Sequence, residues 1–186
     1  MSGVVLAPLA WEPSPNFSSR RGQAITHLVW HSTIGAYRGA ISWLCEPTLY
    51  NADGSVKSGP DASAHLTVRE DGEETAQLVK LHDKAWHAAA WNPFTIGVEH
   101  ASLTQGFASH AQLLQSARLF AYLCHVERIP PLHGLHRPRG IVRHRDLGVA
   151  GGGHHDGPSD QVWFHEFLPA VHAELVRGGL RKAYTR

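Results

Sequence analysis

Apolar residues recur along this chain with two different periods, and these periods divide it into predicted strands and helices. Short runs rich in β-branched and aromatic residues are typical of strands, whereas longer segments with apolar residues three and four positions apart are typical of helices. The predicted strands cover residues 25–30, 63–68, 75–79, 95–100 and 141–142. The predicted helices cover residues 37–46, 109–128 with Ser109 as the N-cap, and 163–176. This pattern indicates an α/β fold.

The segments between these elements complete the predicted organisation. Asp71-Gly72 separates two predicted strands, and this dipeptide favours a tight hairpin turn. Residues 48–61 are polar and contain glycine, so we expect a surface loop there. We assign residues 1–24 to an irregular arm packed on the domain through Trp11, residues 25–180 to one domain and residues 181–186 to a tail.

Composition narrows the class of protein. A length of 186 residues with 42% hydrophobic and 18% charged residues fits a single globular domain. The formal net charge is only +1, which gives no general electrostatic case for binding nucleic acid or an anionic membrane. We therefore interpret the basic residues at 137–145 as a solvated face. The two cysteines lie in helix-like apolar surroundings, so no disulfide framework is predicted.

The chain shows no targeting signal that we recognise. Its first eight residues lack a basic region, and Pro8 interrupts a short apolar run, so no signal peptide is predicted. No apolar run is long enough to cross a membrane. We expect synthesis in the cytoplasm, with action on the cell wall if the protein is an endolysin.

The candidate chemistry lies where predicted strands end. His31, Glu99 and His144 lie at or just after the ends of three such strands, and a glycine-rich loop after His144 leads to His154, His155 and Asp156. Because strand ends gather along one edge of a sheet, His31, His144 and Asp156 can bind one divalent ion. Three protein ligands with one open position are typical of catalytic zinc. Glu99 is then available to accept a proton from water.

Each of these residues also has an ordinary structural interpretation. A lone histidine such as His31 is often a packed residue, and Glu99 can be a strand-end group held in a salt bridge. The loop that carries Asp156 can be a solvated turn. The hypothesis therefore depends on the residues lying together.

The order and spacing of several motifs resemble a known family, the zinc-dependent N-acetylmuramoyl-L-alanine amidases. These share a fold with peptidoglycan recognition proteins and phage lysozyme-type amidases. The matching segments run from about Ile25 to Trp163. They are residues 29–33, 63–68 with Asp71-Gly72, 85–87 with Asn92, 96–99 and 144–146.

The resemblance implies a mixed central sheet flanked by helices, and a Zn²⁺ ion held by His31, His144 and the third ligand. The sequence departs from the family at that third ligand, where members commonly show Lys-Thr-Asp-Pro-Gly or a cysteine before proline. If Asp156 is aligned with the family's third ligand, Trp163 lies seven residues later, where such amidases often carry a tryptophan. His154 then lies where many members hold a lysine that helps to stabilise the transition state. His155 and Asp160 remain alternatives.

The resemblance also implies a reaction and a substrate. We expect hydrolysis of the amide between N-acetylmuramic acid and L-alanine, with Glu99 as the base and His154 supporting the oxyanion. The predicted groove residues are Trp86, His87, Trp91 and Asn92, although both tryptophans are equally suited to the core.

The expected partner is peptidoglycan or a muropeptide, bound by a monomer, without nucleic acid or membrane. The alternatives are a non-catalytic peptidoglycan-binding module of the same fold, a cytoplasmic muropeptide-recycling amidase, and a metal-independent interaction protein.

Overall fold

A mixed six-stranded sheet forms the centre of the computed structural model, which describes residues 9–177. The strands, in chain order, are β1 (Leu9–Trp11), β2 (Phe17–Ser19), β3 (His27–Ser32), β4 (Leu49–Tyr50), β5 (Val56–Ser58), β6 (Leu66–Val68), β7 (Thr75–Gln77), β8 (Asp83–Ala85), β9 (Thr95–His100) and β10 (Gly140–Arg143). The order across the central sheet is β1-β7-β6-β9-β3-β10. Within it only the β6–β7 pair is antiparallel. Two small antiparallel pairs, β2–β8 and β4–β5, lie outside it.

Helices pack around this sheet, so the domain is of the predicted α/β class. The α-helices are α1 (Tyr37–Leu44), α2 (His110–Glu127), α3 (Asp160–Val162) and α4 (Leu168–Arg177). A π-helical turn, Trp163–Phe167, joins α3 to α4, and 3₁₀ turns cover Ala89–Phe94 and His144–Gly151. Among the described residues, none of the helices is both long and apolar enough to cross a bilayer.

The central strands are buried because layers cover both faces of the sheet. All six residues of β3 are buried, which is usual for a parallel strand between two layers. Leu28 and Trp30 pack with α2 and α4, whereas Val29 packs in a separate cluster with Val142 and Leu147. Because side chains alternate along a strand, His31 lies on the face opposite Trp30.

The long helix α2 has the expected start. The Ser109 side chain accepts the backbone N–H of Gln112 at 3.0 Å, which satisfies one of the unpaired groups of the first turn. The helix ends at Glu127, and the next residue, Arg128, has a left-handed φ of 54°. The predicted hairpin around Asp71-Gly72 is also present, because β6 and β7 pair antiparallel across it.

The N-terminal arm differs from the irregular segment that we expected. Its described part adds β1 to the edge of the central sheet and pairs β2 with β8. Trp11 is 52% exposed and does not anchor it. The anchors are buried polar residues, Asn16 and Arg20 among them. Residues 1–8 and the predicted tail at 181–186 lie outside the described residues, as does the segment judged for a signal peptide.

Three further expectations need correction. Residues 48–61 contain the short β4–β5 pair rather than only loop. Arg143 is not on a solvated face: it is 6% exposed and forms an ion pair with Asp146 at 2.8 Å. The position of Asp160 just before Trp163 in the sequence also suits the N-cap of the last helix, but the cap is Ser159, whose hydroxyl accepts the N–H of Val162 at 3.3 Å.

Candidate metal centre and groove

Three strand ends bring the predicted chemistry to one edge of the sheet. His31 and Glu99 are paired residues of the neighbouring parallel strands β3 and β9. His144 follows directly after β10, the neighbour of β3 on its other side, and opens a 3₁₀ turn. The parallel arrangement therefore places the three side chains together because all three strands end on the same side.

Two histidines and one aspartate form a compact set of donor atoms. The Nδ1 atoms of His31 and His144 lie 2.9 Å apart, and Nδ1 of His144 lies 2.9 Å from Oδ1 of Asp156. Nδ1 of His31 lies 3.7 Å from Oδ2 of Asp156. The ligand atoms of all three residues fall within 4.8 Å of one another.

A loop after the 3₁₀ turn returns Asp156 to the strand ends. Gly152 and Gly157 have φ values of 107° and 152°, which side-chain-bearing residues rarely adopt. The returned carboxylate is then fixed, because its Oδ2 accepts the backbone N–H of Ser32 at 3.0 Å. Arg143 holds the start of the last helix by donating to the carbonyl of Pro158 at 3.0 Å.

The hydrogen bonding of His144 leaves one of its ring nitrogens available as a ligand of a cation. Its Nε2 donates to the carbonyl of Gly151 at 2.8 Å, so a neutral His144 ring turns an unprotonated Nδ1 toward Asp156. Burial, with the neighbouring His144 and His87 rings, holds the pKa of His31 well below its usual range. Imidazole nitrogens and a carboxylate are ordinary ligands of zinc, so this set of donor atoms could hold a divalent cation.

Glu99 lies beside these groups without being one of them. Its Oε2 is buried and has no hydrogen-bond partner among the described residues. Burial raises the pKa of the Glu99 carboxyl to about 8, and the charge of Asp156 adds to the shift. Glu99 therefore forms no salt bridge with any residue between 9 and 177, and its carboxyl group is available for proton transfer.

The other three candidate residues in and after the returning loop, His154, His155 and Asp160, lie in different places relative to the two histidines. The exposed ring of His154 stacks on His144, with ring centroids 4.5 Å apart and planes inclined by 18°. His155 is exposed on the wall of the groove described below. Asp160 lies away from the histidines, with a side chain 79% exposed and paired to Arg143 at 2.6 Å. Of the three candidates for the third ligand, only Asp156 reaches the two histidines.

An open groove with a volume of about 1230 Å³ contains this centre. That volume exceeds the ~300–1,000 Å³ of ordinary small-molecule pockets and suits an extended ligand. Trp43 lines it with 54% of its surface exposed. Ile34 lines it too and has a φ of 47°, a strained conformation for a β-branched residue.

The four predicted groove residues have different surroundings. Trp86 lines the groove, and its indole N–H donates to the hydroxyl of Ser18 at 3.2 Å. Asn92 lines it as well, but its Oδ1 accepts the backbone N–H groups of His87 and Ala88. Trp91 is not among the lining residues and packs edge-on against His27, with centroids 5.3 Å apart.

His87, the fourth, lines the groove but contacts the metal centre directly. Its Nδ1 lies 2.9 Å from Nε2 of His31, so the two rings are hydrogen-bonded. Nothing in the sequence distinguishes a histidine that faces a substrate from one that faces another imidazole. The contacts of Ser32 with Asp156 and of Thr95 with His87 were likewise not predicted.

Comparison with known proteins agrees with this geometry. The family model described as N-acetylmuramoyl-L-alanine amidase matches residues 21–160, which include the strand ends and the returning loop. The chain belongs to this amidase family. A curated relative, N-acetylmuramoyl-L-alanine amidase A of Achromobacter lyticus, is 32% identical over 118 residues. That match covers 61% of this chain and 60% of the relative's length.

Solved structures share the amidase fold. The Staphylococcus aureus hydrolase AmiA, in complex with its ligand, has a TM-score of 0.68 at 20% identity, covering 95% of this chain and 88% of AmiA. An AmpD derivative has a TM-score of 0.65 at 20% identity, covering 94% and 98%. An endolysin of Bacillus subtilis, in mutant form, has a TM-score of 0.59 at 18% identity, covering 89% and 99%.

Proposed function

We propose that this protein hydrolyses the amide bond between N-acetylmuramic acid and L-alanine in peptidoglycan and depends on zinc for it. The observation that carries the proposal is the meeting of His31, His144 and Asp156 beside the unpaired carboxyl group of Glu99 inside one groove. Membership of the amidase family supports the choice of bond.

His31, His144 and Asp156 would hold the ion. Two imidazole nitrogens and one carboxylate form a known catalytic zinc set, which leaves a position open. When bound there, zinc supplies Lewis acidity toward the scissile carbonyl and toward water. The chain itself supplies the ligand orientation, through Ser32 to Asp156 and through the Gly151 carbonyl to His144.

Glu99 moves the proton in this proposal. As a carboxylate it accepts a proton from the attacking water, and as a carboxylic acid it returns that proton to the leaving amine. Its Oε2 has no hydrogen-bond partner among the described residues, which leaves that oxygen open to the proton between these two events. The step is balanced, because water supplies both the oxygen of the new acid and the hydrogen of the new amine.

His154 supports the developing negative charge on the scissile carbonyl oxygen. Its ring is stacked on His144 and exposed at the groove, so it can present an N–H donor to a bound substrate without leaving the site. Such donors act chiefly on the transition state.

The groove fits a polymer or a large muropeptide. Aromatic side chains of Trp43 and Trp86 line its wall, and their faces suit sugar rings and peptide stems. Among the described residues that line it there is no lysine or arginine, the side chains that nucleic-acid phosphates require. All proposed groups come from one chain, so we propose that the monomer is the active form.

Digestion of purified peptidoglycan tests the proposal. The protein should release stem peptides with a free L-alanine amino terminus and leave glycan strands intact, as identified by mass. A chelator should abolish the release, and added Zn²⁺ should restore it. New reducing ends without new amino termini would contradict the amidase assignment, and binding without cleavage would identify a peptidoglycan-binding module.

We further propose a lytic, endolysin-like role, because the open groove exceeds the size needed for one small ligand. The enzyme should then cleave intact sacculi at a rate comparable to that on soluble muropeptides. Cleavage confined to soluble muropeptides would instead support a recycling amidase.

A further inference from the structure

A chain of hydrogen bonds connects the backbone of Trp91 to the imidazole of His31. The hydroxyl of Thr95 donates to the carbonyl of Trp91 at 2.9 Å. Nε2 of His87 lies 3.1 Å from the same hydroxyl oxygen, and Nδ1 of His87 lies 2.9 Å from Nε2 of His31. The chain thus reaches the side of His31 that faces away from His144 and Asp156.

The direction of every hydrogen in this chain follows from its first bond. A threonine hydroxyl carries one hydrogen, and the Trp91 carbonyl can only accept it. Thr95 Oγ1 must therefore accept from Nε2–H of His87, which leaves Nδ1 of a neutral His87 ring as an acceptor. Nε2 of His31 must then donate, so the neutral His31 ring turns an unprotonated Nδ1 toward His144 and Asp156.

Packing keeps the His87 ring in this position. A Cβ atom added at Gly97 would lie 2.5 Å from Nδ1 of His87, so only glycine leaves room for the ring on β9. The oxygen of the Asn92 side chain accepts the backbone N–H of His87 at 2.9 Å and that of Ala88 at 2.6 Å. The ring is consequently fixed from its backbone and from its face.

We propose that His87 and Thr95 are positioning residues that fix the tautomer and orientation of His31 for metal binding. The inference rests on the proposed zinc site. His144 needs no such side chains, because a backbone carbonyl orients it. The two histidines therefore differ: the hydrogen-bond partner of His31 is a side chain that substitution can remove, whereas the partner of His144 is a backbone carbonyl.

Zinc affinity of the purified, metal-stripped protein tests this proposal, with Zn²⁺ alone as the probe in competition with a chromophoric chelator. Thr95→Val removes the acceptor for His87, and His87→Leu removes the acceptor for His31. Each should weaken zinc binding by ~10–100-fold, the usual effect of losing an outer-shell partner of a metal ligand. Thr95→Ser keeps the hydroxyl, and His87→Asn keeps an acceptor near the Nδ1 position, so both should retain most of the affinity.

Thr75→Val is the matched control for Thr95→Val. Thr75 is a buried strand threonine whose hydroxyl has no hydrogen-bond partner among the described residues, and it lies on β7, outside the set of groove-lining residues. Its replacement should leave zinc affinity unchanged. Circular dichroism of each metal-free variant checks the fold, and Thr95→Val decides alone if His87→Leu does not fold.

The outcomes separate the two proposals. Wild-type protein that binds no zinc would overturn the proposed metal site itself. Wild-type binding together with unchanged affinity in Thr95→Val would overturn the positioning role and leave the metal site standing. Equal losses in Thr95→Val and Thr75→Val would also contradict that role, because the effect would then be general.

Discussion

His31 and Glu99 lie opposite each other in the register of two neighbouring parallel strands, β3 and β9. Paired residues of adjacent strands point to the same face of a sheet, so the carboxyl group of Glu99 shares the face of the His31 imidazole. The sheet itself, rather than a loop, sets the distance between the proposed base and the proposed ligand. This relation makes Glu99 the most informative single residue to change.

We predict that Glu99→Gln lowers turnover by ~10²–10⁴-fold, the usual contribution of a general base, while fold and zinc content are retained. The amide keeps the size of the side chain and removes its ability to accept the proton. Rates on purified peptidoglycan, with metal analysis of the same samples, check this. A variant with a near-normal rate would show that Glu99 is structural.

We predict that His154→Ala lowers turnover by ~10²–10³-fold, as loss of an oxyanion donor does, and leaves zinc bound. The matched control is His155→Ala, since the neighbouring side chain is also exposed at the groove. It should retain nearly all activity. Equal losses in the two variants, measured as initial rates, would rule out a specific role for His154.

We predict that Asp156→Ala no longer holds stoichiometric zinc and loses activity with it, because it removes the carboxylate between the two histidines. Asp160→Ala is the control: this exposed side chain pairs only with Arg143 among the described residues. It should keep its zinc and its activity. Zinc loss in Asp160→Ala with retention in Asp156→Ala would invalidate the ligand assignment.

We predict that Asn16→Ala loosens the N-terminal arm. Its side chain donates to the carbonyl of Glu46 at 2.8 Å and accepts the N–H of Thr48 at 3.0 Å in a buried position. Each buried group left unpaired costs about 1–3 kcal/mol in the free energy of unfolding. Urea titration measures the loss. The control, Asn51→Ala in an exposed turn, should stay within about 0.5 kcal/mol of wild type.

The positions of the three strand ends could be predicted from the sequence, because each strand is a clear run of apolar residues. His31, Glu99 and His144 each follow an apolar run, and parallel strands bring such ends together. Asp156 could be chosen because a glycine-rich segment precedes it and Gly157-Pro158 follows it. What anchors it, the backbone N–H of Ser32, depends on tertiary placement and has no local signal.

Other features could not be predicted for equally specific reasons. β1 has only three residues and two of them are exposed, so it shows no pattern beyond its pairing with β7. Trp43 is one of the apolar residues of the predicted helix 37–46, yet α1 turns it into the groove. His87 serves a neighbouring imidazole, and this partner lies 56 positions away in the chain. Such contacts arise from packing, which residue patterns do not encode locally.

We predict that His65 makes the free energy of unfolding fall more steeply as the pH is lowered. Burial, and then the nearby Arg20 guanidinium, lower the pKa of His65 to about 3 in the folded protein. The unfolded chain takes up this proton near pH 6.5, so stability falls as pH drops from about 6.5 toward 3, by up to ~1.4 kcal/mol per pH unit. His65→Asn should flatten urea-derived stability between pH 7 and 4.5, whatever its stability at pH 7. The exposed His172→Asn on α4 is the control and should keep the wild-type slope. Equal slopes in all three proteins would show that His65 takes up its proton without unfolding.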